Sequence, residues 1–152
     1  MSILPANIVD RLLRAADRLV APVSVYAHCD LPCGVYDPAQ ARIEAQSVKA
    51  IQERYQSAEK VKSATETVDD YRARCLLIKE HRAELVKEHL WVLWTDYFKP
   101  EHKEKYPQLS DLFWGATKEA GLSKKSQDPA QGQKLLDAID EIANIFWETK
   151  KA

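Results

Sequence analysis

Apolar residues recur every three to four positions along four stretches of the chain, with polar segments between them. This spacing is typical of α-helices that bury one face. It predicts helices over about 38–60, 69–98, 107–121 and 129–149, whereas residues 61–68 fit a loop or a helix equally. Short polar connections favour antiparallel neighbours, so the pattern predicts an all-α fold, an antiparallel up-down four-helix bundle.

Two of these helices begin with the same residues, Asp-Pro-Ala-Gln, at 37–40 and 128–131. Aspartate caps a helix start, proline suits the first turn, and glutamine three residues later can complete a capping box.

The residues predicted to face the core are Ala41, Val48, Ile51, Tyr55, Ala58, Cys75, Ile78, Leu85, Val86, Leu93, Tyr97, Leu109, Leu112, Phe113, Ala116, Leu135, Ala138, Ile139, Ile142 and Phe146.

Two charged residues interrupt the apolar faces. Glu44 lies four residues before Val48, and Arg82 lies four residues after Ile78. A charge on an inner face costs free energy unless it is paired. Either both side chains reach water at the bundle edge, or they act together to orient a group bound at the end of the bundle.

Composition narrows the possible partners. The 152 residues carry a formal net charge of -1, so no basic field indicates a nucleic-acid partner. No apolar run approaches the roughly 20 residues that a membrane-spanning helix needs. The sequence therefore predicts a single globular domain that binds neither nucleic acid nor membrane.

The segment before the first predicted helix carries the densest chemistry. His28, Cys29, Cys33 and Tyr36 fall within nine residues, beside a proline and a glycine that favour a turn. Thiolate and imidazole both suit late transition metals. Three cysteines make a poor disulfide framework, so we interpret Cys29 and Cys33 as a functional pair and Cys75 as a core thiol.

Residues 1–27 are predicted to be a leader that the mature protein lacks. Apolar residues within Asn7–Val20 have helical spacing, so an ordinary N-terminal helix is the alternative. A secretory signal peptide fits poorly, because charges interrupt the apolar residues and leave a run of only about nine. A cytoplasmic propeptide cut after Ala27 fits better.

Residues His28 to Pro38, continuing to Ala50, resemble the mature N-terminus of the nickel-containing superoxide dismutases. Ile78–Leu85, Leu93–Pro100 and Ile145–Ala152 resemble the same family. The resemblance covers residues 28–152 and is weakest over 54–74.

This resemblance implies a propeptide, 1–27, and an enzyme domain, 28–152, which consists of a metal-binding hook over 28–36 and the helix bundle over 37–152. Cleavage would expose the amine of His28. Nickel would then be bound by that amine, by the backbone nitrogen and thiolate of Cys29, and by the thiolate of Cys33. The His28 imidazole would be an axial ligand in the oxidised state.

The resemblance also assigns roles around the metal. Glu44 and Arg82 would hold the His28 imidazole by hydrogen bonds, while Tyr36, and by position Tyr97 and Asp30, would line the approach. The implied catalytic residues are His28, Cys29, Cys33, Tyr36, Glu44 and Arg82.

The implied activity converts superoxide to oxygen and hydrogen peroxide by cycling one nickel ion per subunit between Ni(II) and Ni(III). Thiolate and deprotonated amide are strong anionic donors, which bring this couple into range, and four in-plane donors suit Ni(II). The implied partners are superoxide, five further copies in a homohexamer, a maturation peptidase and a nickel chaperone, and the expected location is the cytoplasm.

Two other functions remain open from the residues alone. A thiol redox protein would use Cys29 and Cys33 as a dithiol, but their spacing is Cys-x3-Cys and no βαβ pattern follows. A zinc-clipped helical interaction module would need a further side-chain ligand. His81, His89 and His102 are candidates, although none is near in sequence.

Overall fold

The computed structural model describes residues 34–151, and within that range it is helical without any strand. The helices are α1 (Ala39–Gln56), α2 (Ala58–Val61), α3 (Val68–Val92), α4 (Pro100–Lys105), α5 (Leu109–Lys125) and α6 (Pro129–Lys151), and a π-helical segment, Leu93–Tyr97, continues α3. The four long helices, α1, α3, α5 and α6, correspond to the four predicted ones, so the predicted all-α bundle is confirmed.

Neighbouring long helices run in opposite directions. Glu44 of α1 pairs with Arg82 of α3, while Tyr55, further along α1, lies under Arg72, nearer the start of α3. α1 packs against α3 and α6, and α5 packs against the same two helices. The bundle is therefore up-down, and α1 begins at the end where α3 and α6 finish.

Both repeated Asp-Pro motifs begin helices as predicted. Asp37 Oδ1 accepts the backbone N–H of Ala39 at 2.7 Å, and Asp128 Oδ1 accepts that of Ala130 at 2.9 Å. Gln131 does not complete a capping box. Its side-chain amide instead donates to Glu119 of α5, across the α5–α6 connection. The aspartates thus carry the capping at both starts.

The helix α3 buries Cys75, Lys79, Ala83, Val86 and Leu90, and it departs from the predicted buried face most clearly at Ile78. Ile78 is 43% exposed, and the next residue, Lys79, is fully buried instead. Lys79 Nζ donates to the carbonyls of Lys124 and Ser126 at 2.7 and 2.6 Å. The last carbonyls of α5 have no partner within the helix and carry partial negative charge, which favours an ammonium there. Burial lowers the pKa of Lys79.

α5 also continues past Gly121, where the prediction ended it, as far as Lys125. Most of the other predicted core residues are buried. Six are half-buried at the edge of the core: Ile51, Tyr55, Leu85, Tyr97, Leu112 and Ala138. The main cluster of buried residues is Ala41, Ala45, Val86, Leu90, Leu93, Phe98, Leu109, Phe113, Ala116, Ala120, Leu135, Leu136, Ile139, Ile142, Ile145 and Phe146.

Gly132 sets the closest approach of α1 and α6. A Cβ at this position would lie 2.8 Å from Lys49 Cα and closer still to Gln52 Oε1. Because backbone must move to admit it, Gly132→Ala is expected to destabilise the fold by about 1–3 kcal/mol. Urea unfolding measures this change.

Gly115→Ala is the matched control for that substitution. A Cβ at Gly115 meets nothing within 4 Å, so helix propensity alone should stabilise the fold by about 0.5–1 kcal/mol. If Gly132→Ala stabilised the fold as Gly115→Ala is expected to do, the approach of α1 and α6 at Gly132 would not be tight.

Candidate functional site

The residues predicted to bind the metal, His28, Cys29 and Cys33, lie outside the described part of the chain. The same holds for Asp30, predicted to line the approach to the metal, and for the predicted leader, 1–27. Gly34 is the first described residue, and its φ of 69° is a conformation that glycine adopts without strain. Tyr36 and Asp37 then lead into α1.

Glu44 and Arg82 form an ion pair between α1 and α3. Arg82 Nη1 donates to both carboxylate oxygens of Glu44, at 3.0 and 3.2 Å. The Glu44 side chain is 13% exposed and that of Arg82 is 40% exposed, so the pair extends from the interior to solvent. The two charges that interrupt the apolar faces therefore stabilise each other. A carboxylate has about four acceptor positions and a guanidinium about five donors, so the pair has capacity for another polar group.

Tyr36 packs against the end of α3. Its ring centroid lies 5.7 Å from that of Tyr97, the last residue of the π-helical segment. The Tyr97 ring lies 4.4 Å from Phe146 of α6 and 5.0 Å from Phe98. The N–H of Phe98 closes the wide turn by donating to Leu93 at 3.1 Å. The rings of Tyr97 and Phe98 both face Phe146, with ring centroids 4.4 and 6.4 Å away.

This end of the bundle thus brings together three segments that are distant in sequence. They are the residues before α1, the π-helical end of α3 and the last turns of α6. Glu44 lies in the second turn of α1, near the same end. The candidate residues Tyr36, Glu44 and Arg82 are therefore carried by adjoining elements.

His102, singled out from the sequence only as a candidate zinc ligand, is a further neighbour of this site. It lies in α4, half-buried, with its ring stacked 5.8 Å from that of Tyr97. Its Nδ1 accepts the backbone N–H of Lys99 at 3.2 Å. A sequence signal for His102 does exist: Lys99-Pro100 is a typical helix start, and a side chain three residues after Lys99 can cap it.

The remaining cysteine is a core thiol, as predicted. Cys75 is buried, and burial raises its thiol pKa, which favours the neutral form that metals do not bind. Within residues 34–151 there is no group of three or more His, Cys, Asp or Glu that can hold a metal ion. The thiolate and imidazole donors predicted at His28, Cys29 and Cys33 have the chemistry that suits a soft divalent metal such as nickel.

Large apolar side chains are exposed on α3 and α5. Trp91 and Trp114 are 67% and 66% exposed. With Trp94 they line a groove of about 510 Å³ between the two helices. Across the described residues, no helix is both long and apolar enough to cross a membrane.

Residues 23–150 match the profile of a family described as nickel-containing superoxide dismutase. A superoxide dismutase [Ni] of Streptomyces coelicolor is 58% identical over 136 residues, which are 89% of this chain and 98% of the relative. A superoxide dismutase [Ni] of Streptomyces seoulensis is 60% identical over the same shares of both chains.

Solved structures agree with this match. The native structure of a nickel superoxide dismutase is 56% identical with a TM-score of 0.73, and covers 82% of this chain and 100% of its own. A structure with nickel ligation of the oxidised state is 58% identical with a TM-score of 0.74, at the same coverage. The chain therefore belongs to the family of nickel-containing superoxide dismutases.

Proposed function

We propose that His28, Cys29 and Cys33 hold the nickel ion with which this chain converts superoxide to oxygen and hydrogen peroxide. The observation that carries this proposal is the arrangement at the end of the bundle where α1 begins. Tyr36 is anchored there on Tyr97, and it follows Cys33 by three residues, which span at most about 11 Å. We infer that this short connection lets the donors reach the Glu44–Arg82 pair.

Each protein group has a distinct task in this proposal. Bound nickel supplies a one-electron couple between its +2 and +3 states. The thiolates and the deprotonated backbone nitrogen of Cys29 stabilise the higher state by their negative charge. Glu44 accepts a hydrogen bond from the His28 imidazole, which fixes the ring orientation and raises its basicity. Arg82 holds the Glu44 carboxylate in place, and Tyr36 restricts access and orders small anions and water.

The proposal includes a propeptide, 1–27, removed by a peptidase in the cytoplasm, and a nickel chaperone that delivers the metal. One feature of the comparisons supports the boundary. The solved structures match 82% of this chain over their full length, and residues 28–152 make up that same share. Cleavage after Ala27 gives His28 a free amine whose lone pair can bind nickel.

We also propose a homohexamer. Large exposed aromatic side chains commonly mark surfaces that a partner covers. Trp91 and Trp114 supply such a surface between α3 and α5. Leu77, 72% exposed, and Ile78 supply a second one on α3. Two separate apolar surfaces on each subunit suit an assembly larger than a dimer.

A native mass spectrum tests the function together with its maturation. The protein is produced with nickel and its cognate processing system. Hexamers of chains that start at His28, each with one nickel ion, are expected. An intact leader without metal, or zinc in place of nickel, would favour a thiol redox protein or a zinc-clipped interaction module instead.

The Glu44–Arg82 pair yields a further prediction. Glu44→Ala and Arg82→Ala should each lower the dismutation rate per bound nickel by about 10- to 100-fold, while most of the nickel stays bound. The reason is that the amine and thiolates remain, whereas the imidazole loses its orientation. Pulse radiolysis with nickel analysis by mass spectrometry gives both quantities.

Asp140→Asn is the matched control for this pair. It weakens the ion pair of Arg42 and Asp140, which joins α1 to α6 at 2.7 Å, with both side chains 43% exposed. Its rate per nickel should not change. Equal losses at Asp140 and Glu44 would mean that any ion pair on α1 matters only for folding.

A further inference from the structure

The hydroxyl of Thr149 fixes the direction of a hydrogen bond at the end of α6. Thr149 Oγ1 donates its single proton to the carbonyl of Phe146, at 2.6 Å. The same oxygen lies 2.7 Å from the hydroxyl of Tyr97. Since a threonine hydroxyl carries one proton, Tyr97 must be the donor in this second bond. The phenol proton of Tyr97 is thus committed to α6.

The same turn of α6 holds the ring of Tyr97 by its face. Lys150 Nζ lies 5.0 Å from the centroid of this ring, a distance at which cations are attracted to aromatic faces. Phe146 and His102 also contact the ring. Tyr97 is therefore fixed at its hydroxyl and at its ring, which makes it a rigid surface for Tyr36.

We propose that Thr149 is a positioning residue for superoxide dismutation. It fixes Tyr97, and Tyr97 fixes Tyr36, whose ring lies 5.7 Å away. This inference rests on the proposed function, in which Tyr36 restricts access to nickel held three residues earlier. It makes the last turn of the C-terminal helix part of the machinery that shapes the approach of superoxide.

Thr149→Val tests this role, because valine has the shape of threonine without an acceptor. The processed, nickel-loaded protein should lose about 3- to 10-fold in rate per bound nickel, as expected for one lost hydrogen bond. Thr149→Ser retains the hydroxyl and should restore the rate. Thr117→Val is the control, since Thr117 makes the same bond within its helix, to Phe113 at 2.8 Å.

A second measurement does not depend on activity. In metal-free processed protein labelled with 13C at the tyrosine rings, Thr149→Val should shift and broaden the signals of both Tyr97 and Tyr36. Thr117→Val should leave them in place. Unchanged Tyr36 signals in Thr149→Val would overturn the inference, because the effect would then stop at Tyr97.

A double-mutant cycle separates positioning from a general loss of stability. If Thr149 acts through Tyr36, then Thr149→Val should change the rate little when it is combined with Tyr36→Leu. Two groups that act independently would show additive losses, and additivity would overturn the inference. Wild-type protein without nickel-dependent activity would refute the proposed function itself, whereas an active wild type with an unaffected Thr149→Val would refute the role of Thr149 alone.

Discussion

Replacement of Cys29 or Cys33 by serine is expected to abolish both nickel binding and dismutation of superoxide. Each thiolate is a soft, negatively charged ligand, whereas a serine hydroxyl stays neutral near pH 7. The substitution therefore removes both the negative charge and the soft donor atom from the metal site. The helices should fold as before, because both residues precede α1. Nickel analysis, thermal unfolding and pulse radiolysis on the processed protein measure the three effects separately.

Cys75→Ala is the matched control, with the opposite expected result. This thiol is buried among the helices and its pKa is raised by burial. Its loss should lower the free energy of unfolding by about 1 kcal/mol through the small cavity left behind, with nickel content and rate unchanged. Loss of nickel in Cys75→Ala would place a ligand in the bundle and contradict the proposed donor set.

The same variants separate the rival functions. In a thiol redox protein, Cys29→Ser would abolish an activity that does not depend on bound metal. Titration of wild-type thiols distinguishes the cases, because nickel should protect both Cys29 and Cys33 from modification. Zinc bound in preference to nickel, without dismutation, would instead support a structural clip.

Most of the bundle could be predicted because helix formation follows from local spacing. The capping residues Asp37 and Asp128 are also local signals, and both act as predicted. The error at Ile78 has a physical cause. Lys79 has a long apolar stem, so burying it is cheap once the carbonyls of Lys124 and Ser126 receive its ammonium. Those acceptors lie at the end of α5, so the spacing of apolar residues along α3 does not reveal them.

The candidate site also combines residues that the sequence reveals with contacts that depend on how the helices pack. The proposed donors are concentrated between His28 and Cys33, so the sequence alone is enough to suggest them. Glu44 and Arg82 could be singled out because each places a charge on an apolar face, but their bond depends on how α1 packs on α3. Thr149 gave no signal, since a threonine near a helix end is ordinary and its partner, Tyr97, is 52 residues away.

The second large effect concerns the residue that precedes His28. A chain that starts at Ala27 is expected to bind no nickel at the hook and to lack activity, whereas a chain that starts at His28 is expected to be fully active. One residue changes the nitrogen of His28 from an amine to an amide, whose lone pair is delocalised into the carbonyl and which must lose its proton before it can bind a metal. The imidazole and both thiols are present in each chain.

The comparison of these two chains isolates the amine from every other property of the leader. Both should have the same helical content and melting temperature, because the bundle comprises residues that they share. Nickel content, thiolate-to-nickel absorption and the dismutation rate should all differ. If the chain that starts at Ala27 binds nickel and dismutes superoxide at a similar rate, the His28 amine is not a ligand, and removal of the leader must act through something other than the donor set.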